Sequence, residues 1–228
     1  MAGLVVELIV SWLLLWFVEK QHLSALGFFP TKSRIENIIA GLLVSSLVCA
    51  IYHLSTTISA GNTWNLNRQY NAQLFLEASW WAMKSVLFEE FIFRGALLYI
   101  AIQKLGVNKA CLLSAASFGV YHWFSYNVFG NPLPMLIIFV ITGIAGLTFA
   151  YAFAHTRSMY LPIALHFGWN LVQDVVLSNG PLGDQMFISE NNDRIQGVWY
   201  SVATLFQLLA LPALTFWYLK KKSTRFSA

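Results

Sequence analysis

Apolar residues gather into seven runs along the chain, at about 2–18, 37–60, 74–103, 110–126, 134–154, 159–178 and 197–219. A helix needs roughly 20 such residues to cross ~30 Å of hydrocarbon, and these runs fall near that length. Turn-forming residues punctuate them: Phe29-Pro30-Thr31-Lys32, Gly61-Asn62, Gly130-Asn131-Pro132 and Asn179-Gly180-Pro181-Leu182-Gly183-Asp184. The pattern predicts an all-α fold, a polytopic transmembrane bundle of about seven helices in one domain over residues 1–228. No internal repeat or low-complexity tract interrupts it. The first run is apolar apart from Glu7, with no basic stretch before it and no small-x-small cleavage site after it. It is expected to be a retained helix and not a signal peptide.

Composition agrees with a bilayer as the solvent. The chain is 57% hydrophobic and 11% charged, against roughly a quarter charged in soluble domains. Its net charge of +4 could suggest nucleic acid, but the basic residues sit at the ends of apolar runs and form no patch with interleaved aromatics. Lys20, Lys32, Arg34, Lys104, Lys109, Arg157, Lys220, Lys221, Lys222 and Arg225 fall in one set of alternate connections, and only Arg68 and Arg194 in the other. That asymmetry predicts the N-terminus outside and the C-terminus in the cytoplasm, in the plasma membrane of a prokaryote. Cys49 and Cys111 lie in apolar runs without metal-like spacing and are expected to be buried thiols.

Three runs carry polar groups that hydrocarbon does not favour, and such groups mark function by default. The third contains Glu89, Glu90 and Arg94, the fourth His122, and the sixth His166 and Asn170. At 1.5 Å per residue along unbroken helices, Glu89 lies roughly 22 Å from Lys104, His122 roughly 20 Å from Lys109, and Asn170 roughly 20 Å from Arg157. Three helices thus deliver polar side chains to one slab of the membrane. Glu90 and Arg94 are i, i+4 and positioned to pair, while Glu89 points about 100° away. His166 and Asn170 share a face, and Phe118 lies one turn from His122. A carboxylate beside an imidazole, away from bulk water, can deprotonate a water. A second His with an Asn can hold the oxyanion of a tetrahedral intermediate. No cofactor or metal is needed for that chemistry, and the implied partners are membrane lipids and a protein or peptide substrate.

Glu89-Glu90-x-x-x-Arg94, Phe118-x-x-x-His122 and His166-x-x-x-Asn170 resemble the three motifs of the CAAX-protease and bacteriocin-processing family. This is the Abi, or CAAX prenyl endopeptidase-like, group of intramembrane glutamic endopeptidases. The stretch Leu23-Ser24-Ala25-Leu26-Gly27-Phe28 adds a weaker likeness to smaller bacterial members. The motif-bearing core spans about 74–178. The resemblance implies that Glu89 activates the water with help from His122, and that His166 and Asn170 hold the oxyanion. It implies a supporting role for Glu90 and Arg94 in the first motif helix. Substrates in the family include prenylated CaaX proteins, and other members are linked to bacteriocin self-immunity.

Other readings remain open at this level. Two His and one or two Glu could complete the ligands of a zinc protease, although no His-Glu-x-x-His helix occurs. A non-catalytic immunity or transport protein is the alternative from another class, although transporters commonly show repeats. Glu7 is expected at the interface; Asp174 continues the His166 and Asn170 stripe and is expected there too, with lining a water path as the alternative. His53 is expected to be a satisfied polar group, and Glu77 and Lys84 are placed to pair.

Overall fold

A computed structural model describes residues 2–191 and 195–225. All seven apolar runs are helical. Helix α1 (Ala2–Leu14) continues into a π-helical turn, Leu15–Glu19. Then come α2 (Lys32–Ala60), α3 (Ala72–Arg94), α4 (Ala96–Leu105), α5 (Val107–Ser125) and α6 (Pro132–Thr156). Helix α7 (Tyr160–Asn170) widens into a π-helical turn, Leu171–Val176, and α8 (Gly197–Arg225) closes the chain. Among the described residues, four stretches are long and apolar enough to cross a membrane: Ala2–Glu19, Lys32–Ala60, Pro132–Thr156 and Gly197–Lys222. The motif helices α3, α5 and α7 are not among them; all three carry the polar groups, and α7 is also short.

Helix α2 shows why this is a membrane bundle. Ile35, Ile39, Leu43, Leu47, Ile51, Leu54 and Ile58 form an exposed stripe at helical spacing. The opposite face buries Asn37, Gly41, Ser45, Cys49, His53 and Thr57. A soluble helix has the reverse polarity. With lipid outside, small and weakly polar residues face inward, where they allow close approach and hydrogen bonding between helices. Thr31 caps the start of α2 by accepting from Arg34 N at 3.3 Å, and Gly61 at φ 68° ends it.

The inward face of α2 meets α7 at a crossing of small residues. A Cβ on Gly168 would lie 2.1 Å from Ser45 Oγ and 2.9 Å from the Leu42 carbonyl oxygen. A Cβ on Gly41 would lie 2.7 Å from that of Ala164. Ser46 Oγ donates to the Gly168 carbonyl at 2.9 Å across the same crossing. This contact sets the rotation and depth of α7, and therefore of the two motif residues on it. Gly168→Ala is expected to cost on the order of 1–3 kcal/mol through overpacking. Gly168→Leu should force the helices apart. Thermal melting of the purified variants, with Ala intermediate between wild type and Leu, is the measurement.

The third run departs from the expected single helix. It breaks at Gly95, where the backbone turns to φ −76°, ψ −133°. A Cβ there would lie 2.2 Å from the Phe91 carbonyl oxygen, so only glycine fits. The 22 Å rise from Glu89 to Lys104 along one straight helix therefore does not apply. Lys104 instead reaches back to pair with Glu19 at 3.2 Å. A short antiparallel pairing of β1 (Trp64–Leu66) with β2 (Phe187–Ser189) was also not expected; it ties together the two connections on the opposite face. Arg194, counted in the charge asymmetry, and Ala228 lie outside the described residues.

Candidate active site

Helices α3, α5 and α7 bring their motif residues together. Glu89 Oε2 lies 3.8 Å from His122 Nε2 and 3.8 Å from His166 Nε2. All three residues are buried. These separations exceed a direct hydrogen bond, but a single oxygen atom can bridge each of them. Asn170 is half-buried one turn beyond His166, and among the described residues its amide has no hydrogen bond.

Each imidazole is fixed through its other nitrogen. His122 Nδ1 donates to the Phe118 carbonyl at 2.8 Å, and the Phe118 ring stands edge-on to it with centroids 4.4 Å apart. His166 Nδ1 donates to Glu90 Oε1 at 2.9 Å, and its ring stacks on Phe149 at 5.0 Å and 19°. Both Nδ1 atoms are thus occupied, so both Nε2 atoms are left to the site. The partners differ in kind: a neutral carbonyl for His122 and a carboxylate for His166.

Glu90 and Arg94 form the expected i, i+4 pair at 3.1 Å, both side chains fully buried. Arg94 also donates to the Gly146 carbonyl at 3.1 Å and stands over the Phe118 ring at 4.1 Å. Gly146 has no side chain for a reason: a Cβ would meet Phe118 Cδ1 at 2.9 Å and Arg94 Nη2 at 3.0 Å. The contact from Glu90 to His166 went unseen in the sequence. It joins the supporting pair to the site itself, because Glu90 holds one nitrogen of the imidazole whose other nitrogen faces Glu89.

Several surrounding groups add to the picture. Asp174 is 5% exposed and lies inside the bundle. The π-helical turn after Asn170 holds it there, where Gln173 Nε2 donates to it at 3.2 Å and the Gly180 backbone covers it. Its spacing, i+4 from Asn170 and i+8 from His166, was the available signal. Both carboxylate oxygens of Glu7 are buried without a hydrogen bond among the described residues. Glu77 accepts from Gln73 at 2.9 Å and does not pair with Lys84. His53 Nδ1 meets the Asn179 amide at 3.2 Å, but its Nε2 is buried without a hydrogen bond among the described residues, so the expected satisfied group is only half satisfied. Cys49 and Cys111 are buried free thiols. Among the described residues, no cluster of three or more His, Cys, Asp or Glu side chains has the arrangement of a metal site.

The family model for type II CAAX prenyl endopeptidases, Rce1-like, matches residues 71–172, from the cap of α3 to just past Asn170. That core is similar to the Rce1-like family. The matched segment holds all three motifs and Glu89, Glu90, Arg94, His122, His166 and Asn170, while α1, α2 and α8 lie outside it. A match of that kind indicates a peptide hydrolase acting in a membrane setting on a protein or peptide. No curated protein and no solved structure matches the chain.

Proposed function

We propose that the protein is an intramembrane endopeptidase in which Glu89 activates a water for attack on a peptide bond. The observation that carries this reading is the convergence of Glu89 Oε2 with two imidazole Nε2 atoms at 3.8 Å each. Glu89 takes a proton from the water as its oxygen bonds to the carbonyl carbon, and His122 Nε2 accepts the water's second hydrogen bond. His166, doubly protonated with Glu90 as its counter-ion, donates from Nε2 to the developing oxyanion. The Asn170 amide is the second donor. Collapse of the tetrahedral intermediate breaks the C–N bond, and the leaving amine takes the proton from Glu89. The substrate is a membrane-associated protein or peptide, with CaaX-like C-termini and peptide precursors as the two candidates.

Side chains supply every role in this scheme, so activity is expected to survive exhaustive dialysis against a strong chelator. The check is cleavage of a reporter peptide in reconstituted vesicles before and after dialysis. Activity that vanished and returned only with zinc would replace a general-base carboxylate with a metal-ligating one.

The proposal places the C-terminus in the cytoplasm of a prokaryotic cell, on the strength of the basic connections. A reporter active only in the cytoplasm, fused after Ala228, should be active. An inactive fusion on an intact chain would reverse the orientation.

A further inference from the structure

Where α2 begins and α8 ends, the bundle contains a cavity of about 310 Å³ lined by Ser33, Arg34, Asn37, His155, Thr156 and Lys222 among others. Every ionisable group lining it is basic. Lys222 is held in place by donating to Asn37 Oδ1 at 2.6 Å and to the Ser33 carbonyl at 2.8 Å, which also ties α8 to α2. Arg34 is anchored through the Phe29 carbonyl, and one guanidinium nitrogen in that bond leaves further donors for a ligand. The nearest carboxylate, Glu36, lies 3.9 Å from Lys222 and does not line the cavity. The first turn of α2, a 29-residue helix, adds the positive end of its dipole.

A second feature continues the first toward the middle of the bundle. A cleft between α2, α7 and α8, lined by Ala40, Val44, Leu161, Leu165, Leu214 and Tyr218, has only about 10 Å³ of open space, too little to enclose an acyl chain. The two meet at one hydrogen bond, from Tyr218 in the cleft to Asn37 Oδ1 in the cavity at 2.8 Å. Along each helix they are adjacent: Asn37 to Gly41 on α2 and Lys222 to Tyr218 on α8 are single turns, about 6 Å. Basic groups at the helix ends, amide and hydroxyl at the seam, and aliphatic side chains below follow the order of polarity in a phospholipid.

We infer that this cavity binds the headgroup of one anionic phospholipid of the leaflet on the basic side. Basic pockets between membrane helices hold anionic headgroups, and the acyl chains of such a lipid lie in the bilayer outside the closed cleft. The site is separate from Glu89.

The test uses the full chain reconstituted in nanodiscs of phosphatidylcholine with phosphatidylglycerol, followed by native mass spectrometry of the lipid it retains. Phosphatidylglycerol should be retained over phosphatidylcholine by about tenfold or more, since each nearby basic group contributes about fivefold. Arg34→Gln should lower that preference about fivefold with unchanged melting. Added inorganic phosphate should not displace the lipid. Equal retention of the two lipids, or an unchanged preference in Arg34→Gln, would overturn the inference. Displacement by inorganic phosphate would also overturn it, leaving an anion site with no lipid.

Discussion

Glu89→Gln is expected to fold, insert and melt like wild type while peptide cleavage falls by about 10²–10⁴-fold, the usual contribution of a general base. The substitution keeps size and removes one ionisable group. Structural cost should be small because Glu89 Oε2 has no hydrogen bond among the described residues. His122→Ala should lose activity too, with Nδ1–H to the Phe118 carbonyl as the one protein hydrogen bond forfeited. The loss should appear in kcat more than in KM, because both groups act on the water and not on bound substrate. Rates near wild type in either well-folded variant would remove Glu89 or His122 from the chemistry.

Arg94→Ala should produce the largest loss of stability of any single replacement considered. It removes the cation of the fully buried Glu90–Arg94 pair, and breaking such a pair costs about 3–5 kcal/mol. The change also removes the guanidinium from the Phe118 face and its hydrogen bond to the Gly146 carbonyl. Glu90→Ala should be destabilising for the mirror reason. The double replacement Glu90→Gln/Arg94→Gln removes both charges of that pair and should recover part of the lost stability. It should not recover full activity, because His166 Nδ1 then faces an amide in place of a carboxylate. Melting temperature and cleavage rate, measured side by side, separate the two effects. Full recovery of both would confine the pair to a structural role.

Much of this architecture is legible in the sequence because membrane helices announce themselves by length and hydropathy. All seven runs are helical, and i, i+4 spacing alone was enough to pair Glu90 with Arg94. The motif residues also meet, although the straight-helix count that placed Glu89 fails at the Gly95 break. What escaped depends on rotation and local backbone. Nothing in an apolar run distinguishes Gly95, where the helix breaks, from glycines that merely permit close packing. The contact from Glu90 to His166 depends on how α7 is turned about its axis, which the Gly168 and Ser45 crossing fixes. The inward placement of Asp174 follows from a π-helical turn that hydropathy does not register. That α1 turns Glu7 toward the protein is likewise a matter of helix rotation.

The most direct test of the central claim is a comparison of peptide termini in membranes from cells producing wild-type protein or Glu89→Gln at equal levels. A water-activating glutamate predicts a small set of new termini, present with wild type and absent with Glu89→Gln, whose intact precursors accumulate in the variant. Identical termini in the two membranes, with both proteins folded and inserted, would contradict the account.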